Sequence, residues 1–257
     1  MPHLARADLE SLLRARQLDR TLTTALPLPA LPGQSDDDAV APTGVTALDA
    51  RLGGGFPRGQ LSELVGPRSS GRTSLVRHML AAATARGELV ALVDALDMFD
   101  VESAAAAGID LDRLLWIRGH VVMNPGMCRD LNQRALEQAV RAFALVLQAG
   151  NVGLVVLDVA DAPPDGLRRL PFTTWLRLQR LVEGSQTTCV LVGGEPMARS
   201  AAGLTVRLEA RGWRLEAGDS RPSHARLFKG LLVEARVIRA RARHQEDVCV
   251  SVSTAAV

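Results

Sequence analysis

Nine residues constrain the fold of this chain more than any others: Gly66-Pro67-Arg68-Ser69-Ser70-Gly71-Arg72-Thr73-Ser74. They stand between an apolar run, Leu61 to Val65, and a helical pattern made by Leu75, Val76, Met79, Leu80 and Ala83. A strand, a glycine-bounded loop and a helix start form the context that a phosphate-cradling loop requires. Such a loop points backbone N–H groups inward, and the helix dipole favours an anion at its mouth. Gly66 and Gly71 fall where a Cβ would block the approach of phosphate. Ser69, Ser70, Arg72, Thr73 and Ser74 complete the candidate nucleotide contacts, and Thr73 takes the slot whose hydroxyl would bind Mg²⁺. One position departs from the pattern GxxxxGK[ST]: the lysine slot holds Arg72. A guanidinium does not replace a compact ammonium freely where β- and γ-phosphates must be reached. Lys229 is the one lysine among 30 basic residues, so a general preference for arginine could also account for the exchange.

The rest of the chain supplies the setting. Apolar runs Leu89–Val93 (closing in Asp94), Leu114–Ile117, Val152–Leu157 (closing in Asp158) and Thr188–Val192 read as strands. Helical patterns reach to about Arg86 and cover 101–107, about 132–149 and 171–184. Leu136, Val140, Phe143 and Leu147 share one side of the third. Thr46 is expected to cap a short helix running to Leu52, stopped by Gly53-Gly54-Gly55. Strands alternating with helices imply a parallel sheet covered on both faces. After Val192 the period changes to two, in Leu204–Glu209, Leu232–Arg243 and Val248–Val252, which predicts antiparallel strands with one wet face. The expected fold is therefore α/β: a three-layer sandwich whose mainly parallel sheet is extended by C-terminal antiparallel strands. Residues 43–257 form that core. Residues 1–42 form an N-terminal part, with a short amphipathic helix over 8–20 and a Pro-punctuated segment ending in Asp36-Asp37-Asp38. That segment is either a tether or an arm that packs on a neighbouring subunit.

Composition sets limits. A chain of 257 residues, 47% apolar and 23% charged, suits one soluble α/β core. A net charge of +2 gives no global polyanion signal, so any nucleic-acid surface has to be a local patch. Cys128, Cys189 and Cys249 are too widely spaced for a zinc site or a disulfide frame. No apolar run approaches the length of a membrane span, which leads to the expectation of a cytoplasmic protein. Trp116, Trp175 and Trp213 read as packing residues, and the five histidines lack ligand spacing.

Asp158, at the end of Leu154-Val155-Val156-Leu157, stands where a carboxylate holds the Mg²⁺ of a P-loop enzyme. With it, a wider resemblance appears. Thr43-Gly44-Val45-Thr46-Ala47-Leu48-Asp49, Gly53 to Gly59, Glu63 to Thr73, Leu92-Val93-Asp94-Ala95, Gly108 to Leu115 and Leu154 to Asp158 together resemble the core of RecA-type recombinases, over about residues 43–215. The resemblance implies a water-activating glutamate where this chain has Leu96, and a γ-phosphate-sensing Asn-Gln pair where it has Gly193-Gly194-Glu195. With Arg72 in the lysine slot, these departures make the chain similar to ImuA-type proteins, RecA-like accessory partners of mutagenic DNA synthesis in bacteria. Losing a positioned base costs ~10²–10⁴ in rate, and losing a cation at the transferring group costs on the same order. The expectation is weak or absent binding of ATP and Mg²⁺, through Thr73 and Asp158, and no meaningful turnover.

The resemblance further implies a translesion polymerase-like protein and RecA as partners, single-stranded DNA as a ligand, nucleoid association, and oligomer contacts through residues 1–42. Its two DNA-facing loops correspond to Ala160–Arg169 and Pro196–Gly203, which are short and carry no stacking aromatic. The positive candidates for DNA or partner contact are Arg168, Arg169 and Arg199, with Arg236, Arg239, Arg241 and Arg243 on the last strands. Arg221, Arg226 and Lys229 add to that C-terminal basic set. Two competing readings stand beside the adaptor: an active RecA- or KaiC-like DNA-dependent ATPase using Asp97 or Asp100, and a nucleotide-independent single-stranded DNA-binding module.

Overall fold

The computed structural model describes residues 40–122, 129–214, 230–240 and 250–255. The helix expected at 8–20 and the segment 21–39 lie outside the described residues, as do Arg221, Arg226, Lys229, Arg241 and Arg243.

The chain opens with β1 (Val40–Ala41), α1 (Thr46–Leu52) and β2 (Phe56–Pro57), and β1 and β2 pair as a small antiparallel ladder. Then follow β3 (Leu61–Val65), α2 (Arg72–Ala85), β4 (Val90–Asp94), α3 (Val101–Ala106), β5 (Leu114–Arg118), α4 (Arg129–Ala149) and β6 (Leu154–Asp158). The remaining elements are α5 (Pro164–Arg169), α6 (Phe172–Val182), β7 (Thr188–Gly193), β8 (Leu204–Arg214), β9 (Gly230–Ala240) and β10 (Val250–Ala255). All strands from β3 onward form one sheet in the order β10-β9-β8-β3-β7-β6-β4-β5. The block from β5 to β8 is parallel, and β9 and β10 are antiparallel.

The central strands β4, β6 and β7 are almost wholly apolar because both their faces are covered, and β3 is buried throughout although Ser62 and Glu63 stand within it. Successive residues split between two cores: Leu154 and Val156 face Met79, Leu80 and Ala83 of α2, while Val155 and Leu157 face Leu136, Phe143 and Leu147 of α4 and Trp175 and Leu178 of α6. This is the three-layer sandwich expected from the pattern. Parallel strands end together, so Asp94, Asp158, Gly193 and the loop after Val65 share one end of the sheet. Loops at that end are where open α/β sheets place their ligands.

Two expectations are corrected. Thr46 does not cap α1; it is the first helical residue, and no side chain caps the helix at Val45. Instead Asp49 Oδ1 accepts from the Thr43 N–H (2.7 Å), and Thr43 Oγ1 accepts from the Val45 N–H (3.2 Å), which orders the entry turn. The first alternating strand, β8, is not purely antiparallel: it joins β3 in parallel and only its other edge pairs antiparallel, with β9.

Candidate functional site

The loop after β3 runs from Gly66 to Gly71, where α2 begins. Gly71 adopts φ +93°, and no side chain caps the helix, so the first turn of α2 keeps its amides at the loop mouth. Ser69 also lies in the left-handed region, at φ +59°, a conformation that costs a non-glycine residue about 1 kcal/mol or more. Ser70 is buried, and its Oγ has no hydrogen-bond partner among the described residues. Thr73 is exposed and Ser74 half-buried on the first turn. The need for glycine at position 66 differs from the sequence expectation. A Cβ there would lie 2.4 Å from the Leu208 carbonyl oxygen and 2.7 Å from Ser70 Oγ, so β8 and the loop itself demand it.

Arg72 decides the character of this loop. Its side chain is buried, and Nη1 donates to the carbonyls of Gly193 (2.9 Å) and Ala160 (3.4 Å). Gly193 closes β7 and Ala160 follows β6, so the guanidinium lies against the sheet end, bound to backbone. Asp161 lies 3.8 Å from Arg72 Nη2 and receives Arg68 Nε at 2.8 Å. The Gly66 N–H donates to Gly193 O (3.3 Å). The loop is therefore tied to β6 and β7 through its own two arginines and its first glycine. Glycine cradle and uncapped helix start fit a phosphate, whereas the cation that would meet the outer phosphates is committed to carbonyl groups.

Two carboxylates stand on neighbouring strands in register, Asp94 on β4 and Asp158 on β6. Burial pushes the Asp158 carboxyl up to about 6; the Ala160 N–H, which it accepts at 3.0 Å, and nearby Arg72 pull it down, and Asp94 and Asp161 push it up further. Asp94 is buried and accepts from the Phe99 N–H (2.8 Å) and Trp116 Nε1 (3.4 Å). Among the described residues no cluster of three or more His, Cys, Asp or Glu side chains is arranged to hold a metal ion. Leu96 packs on the core beneath α4. Asp97 is held by Arg118 through two contacts of 2.7 Å, which keep its carboxyl below the usual range. Asp100 caps α3, accepting from the N–H groups of Glu102 and Ser103. Asp97 and Asp100 are thus both engaged in local structure.

Glu63, which sequence reasoning did not single out, is buried in the middle of β3. Its Oε1 accepts the Met197 and Ala198 N–H groups, both at 2.7 Å, and its Oε2 accepts Thr205 Oγ1 at 2.9 Å. It fixes the segment after β7 to the strand that leads into the phosphate loop. The available signal was a carboxylate inside a run buried on both faces, which must find donors. Asp161 was missed as well, although an acid beside Arg68 and Arg72 follows from loops that share one sheet end.

The structure gathers Arg168, Arg169 and Arg199 around one cavity, between α5–α6 and the segment after β7. It does not bring Arg236 and Arg239 to that place as free charges: Arg236 faces Glu234 at 3.4 Å, and Arg239 Nη1 donates to Arg199 O at 2.6 Å.

Residues 30–165 match the model of the RecA N-terminal domain. Protein RecA of Clavibacter michiganensis subsp. michiganensis is 41% identical over 125 residues, covering 48% of this chain and 31% of that protein. Protein RecA of Leifsonia xyli subsp. xyli is 39% identical over 124 residues, 48% of this chain and 31% of its own length. Protein RecA of Chlorobaculum parvum is 40% identical over 133 residues, 49% of this chain and 34% of its own. The match thus spans about a third of each of these relatives.

Proposed function

The chain belongs to the RecA family through an N-terminal domain matched over residues 30–165, and from that premise we propose that it is a non-hydrolysing adaptor in DNA damage tolerance, of the ImuA type. Its working contacts are with proteins: a translesion polymerase-like partner, RecA, or both. Single-stranded DNA is a secondary ligand in this reading. The observation that carries it is the inward Arg72, whose guanidinium is bound to Gly193 O and Ala160 O. Recruiting it to a phosphate would break one charge-assisted hydrogen bond, to Gly193 O, worth about 1.5–3 kcal/mol, and a longer contact to Ala160 O. Leu96 stands where the resemblance places the base, and Asp97 and Asp100 are engaged with Arg118 and the start of α3. A recombinase core of this kind keeps docking surfaces and loses the turnover that drives filament dynamics.

Phosphate release from Mg²⁺·ATP tests the reading, measured with and without single-stranded DNA. The adaptor is expected to stay at the no-protein background under both conditions, with at most a small thermal shift on adding nucleotide. Turnover comparable to that of a recombinase measured alongside overturns it and leaves the ATPase reading in its place.

A further inference from the structure

Between the α5–α6 corner and the segment after β7 lies a cavity of about 470 Å³, a size at which a pocket encloses a small ligand or a few side chains. Its walls are apolar, formed by Leu167, Leu170, Phe172, Trp175, Pro196 and Met197 among others. Its charged residues are Arg168, Arg169, Arg199 and Glu195. Glu195 is spent on Arg207, 2.5 Å away on β8. Arg168 has only the exposed Asp165 at 3.4 Å, and Arg169 pairs with no acid among the described residues. The pocket thus combines an apolar interior with a net positive rim.

Three features favour a peptide over a nucleobase. The Phe172 ring already lies under the Arg199 guanidinium, 5.9 Å from its centroid. Trp175 is only 3% exposed, so neither ring offers a face on which a base could stack. Glu195, the single side-chain carboxylate among the described residues that line the cavity, is paired with Arg207, which leaves the N–H groups of a buried base edge without an unpaired carboxylate partner, and an unmatched polar group is costly to bury. The wall is also preformed. Glu63 holds the N–H groups of Met197 and Ala198, and a Cβ on Gly193 would lie 2.3 Å from Met197 Cε, so Met197 is packed closely on the end of β7. A preformed apolar pocket spends little on ordering when it is filled.

We infer that this cavity is a docking pocket for an acidic peptide segment of a protein partner, one bulky apolar side chain filling the interior and flanking carboxylates meeting Arg168, Arg169 and Arg199. The inference rests on the adaptor reading in taking the partner to be a protein, and it gives that reading a location.

Fluorescence anisotropy with a labelled peptide Gly-Glu-Asp-Leu-Phe-Asp-Glu-Gly tests it, using the full-length chain. Two altered peptides are run beside it, one with Ala-Ala for Leu-Phe and one with Gln and Asn for the acids. The expected result is saturable binding of the parent peptide that falls at least tenfold with either altered peptide. Arg169→Glu, on an exposed side chain that leaves the core intact, should weaken binding at least tenfold at an unchanged Tm. Phe172→Ala, which also trims packing on the α6 core, should weaken binding at least tenfold through the apolar wall. Absence of saturable binding overturns the inference, and so does binding indifferent to Arg169→Glu and Phe172→Ala. A labelled oligothymidylate that binds more tightly than the peptide and loses affinity in both variants overturns it in favour of nucleic acid. Phosphate release on the same preparations judges the adaptor reading separately, since peptide affinity is read whether or not nucleotide is turned over.

Discussion

Glu63 and Arg72 are both buried charges held by backbone groups, yet they are held on different terms. Glu63 takes donors on both carboxylate oxygens, from Met197, Ala198 and Thr205, and all three contacts are 2.9 Å or shorter. Arg72 gives one good hydrogen bond, to Gly193, and a long one, to Ala160, with Asp161 at the edge of contact. The first arrangement is well matched, with both carboxylate oxygens engaged by short contacts. The second is a loop arginine tied to the sheet end by one short contact and two long ones. The molecule therefore carries a well-matched tie through Glu63 and a weaker one through Arg72.

The largest expected effect comes from breaking the well-matched tie. Glu63→Ala leaves two amide N–H groups and a hydroxyl buried without acceptors, and should cost about 3–4 kcal/mol of stability by urea denaturation. Glu63→Gln keeps one acceptor oxygen and should cost about half as much. Met197 loses its anchor in Glu63→Ala, so affinity at the neighbouring cavity should fall with it. A loss under 1 kcal/mol in Glu63→Ala would mean that the segment after β7 is held by something else, and the contrast with Arg72 would vanish.

Asp158 sharpens the contrast from the other side. It has one backbone donor and a like-charged neighbour in register, so its charged form is poorly matched. Its pKa of about 6 in the folded chain exceeds the ordinary value of 3.8. The folded state thus binds this proton more tightly than the unfolded state. Stability from this group is present at low pH and is lost as pH rises from about 4 through 6. Asp158→Asn keeps the acceptor for the Ala160 N–H and removes the charge. It should raise stability at pH 7, by up to about 3 kcal/mol, and flatten the pH dependence between 4 and 6. A variant less stable at pH 7 with the slope intact would place the burden on another carboxyl.

Legibility follows the same division. Strands β4, β6 and β7 are readable because burial on both faces forces a nearly continuous apolar run, and β3 because Leu61, Leu64 and Val65 frame its two polar residues; the carboxylates Asp94 and Asp158 mark where two of the strands end. The direction of β8 is not readable, because the alternation of Leu204–Glu209 reports one exposed face and says nothing of which way the neighbour runs. The cap of α1 escapes for a local reason: Asp49 competes for the turn from inside the helix, and Thr46 is the wrong hydroxyl. Spacing places Arg72 at the mouth of the loop, but a long side chain can face the ligand or the sheet, and only the carbonyls at Gly193 and Ala160 decide. Glu63 is visible as an anomaly in an apolar strand, whereas its donors, 134 and 135 residues away at Met197 and Ala198, are a property of the folded sheet end.

The smallest expected effect is the most direct test of the weaker tie. In Arg72→Lys the ammonium cannot fork toward two carbonyls as a guanidinium does, so the tie to Gly193 and Ala160 is halved at a cost of about 1 kcal/mol. The shorter cation is then free to turn toward the helix mouth, where the uncapped amides of α2 already favour an anion. The stabilisation by Mg²⁺·ATP in a thermal melt should therefore exceed that of the parent chain, while the adaptor proposal expects phosphate release to stay at background. Equal thermal shifts in both proteins would mean that Arg72 never withheld a cation from the cradle. The loop would then have to be judged by its strained Ser69 and its contacts to β8, and the arginine would be packing.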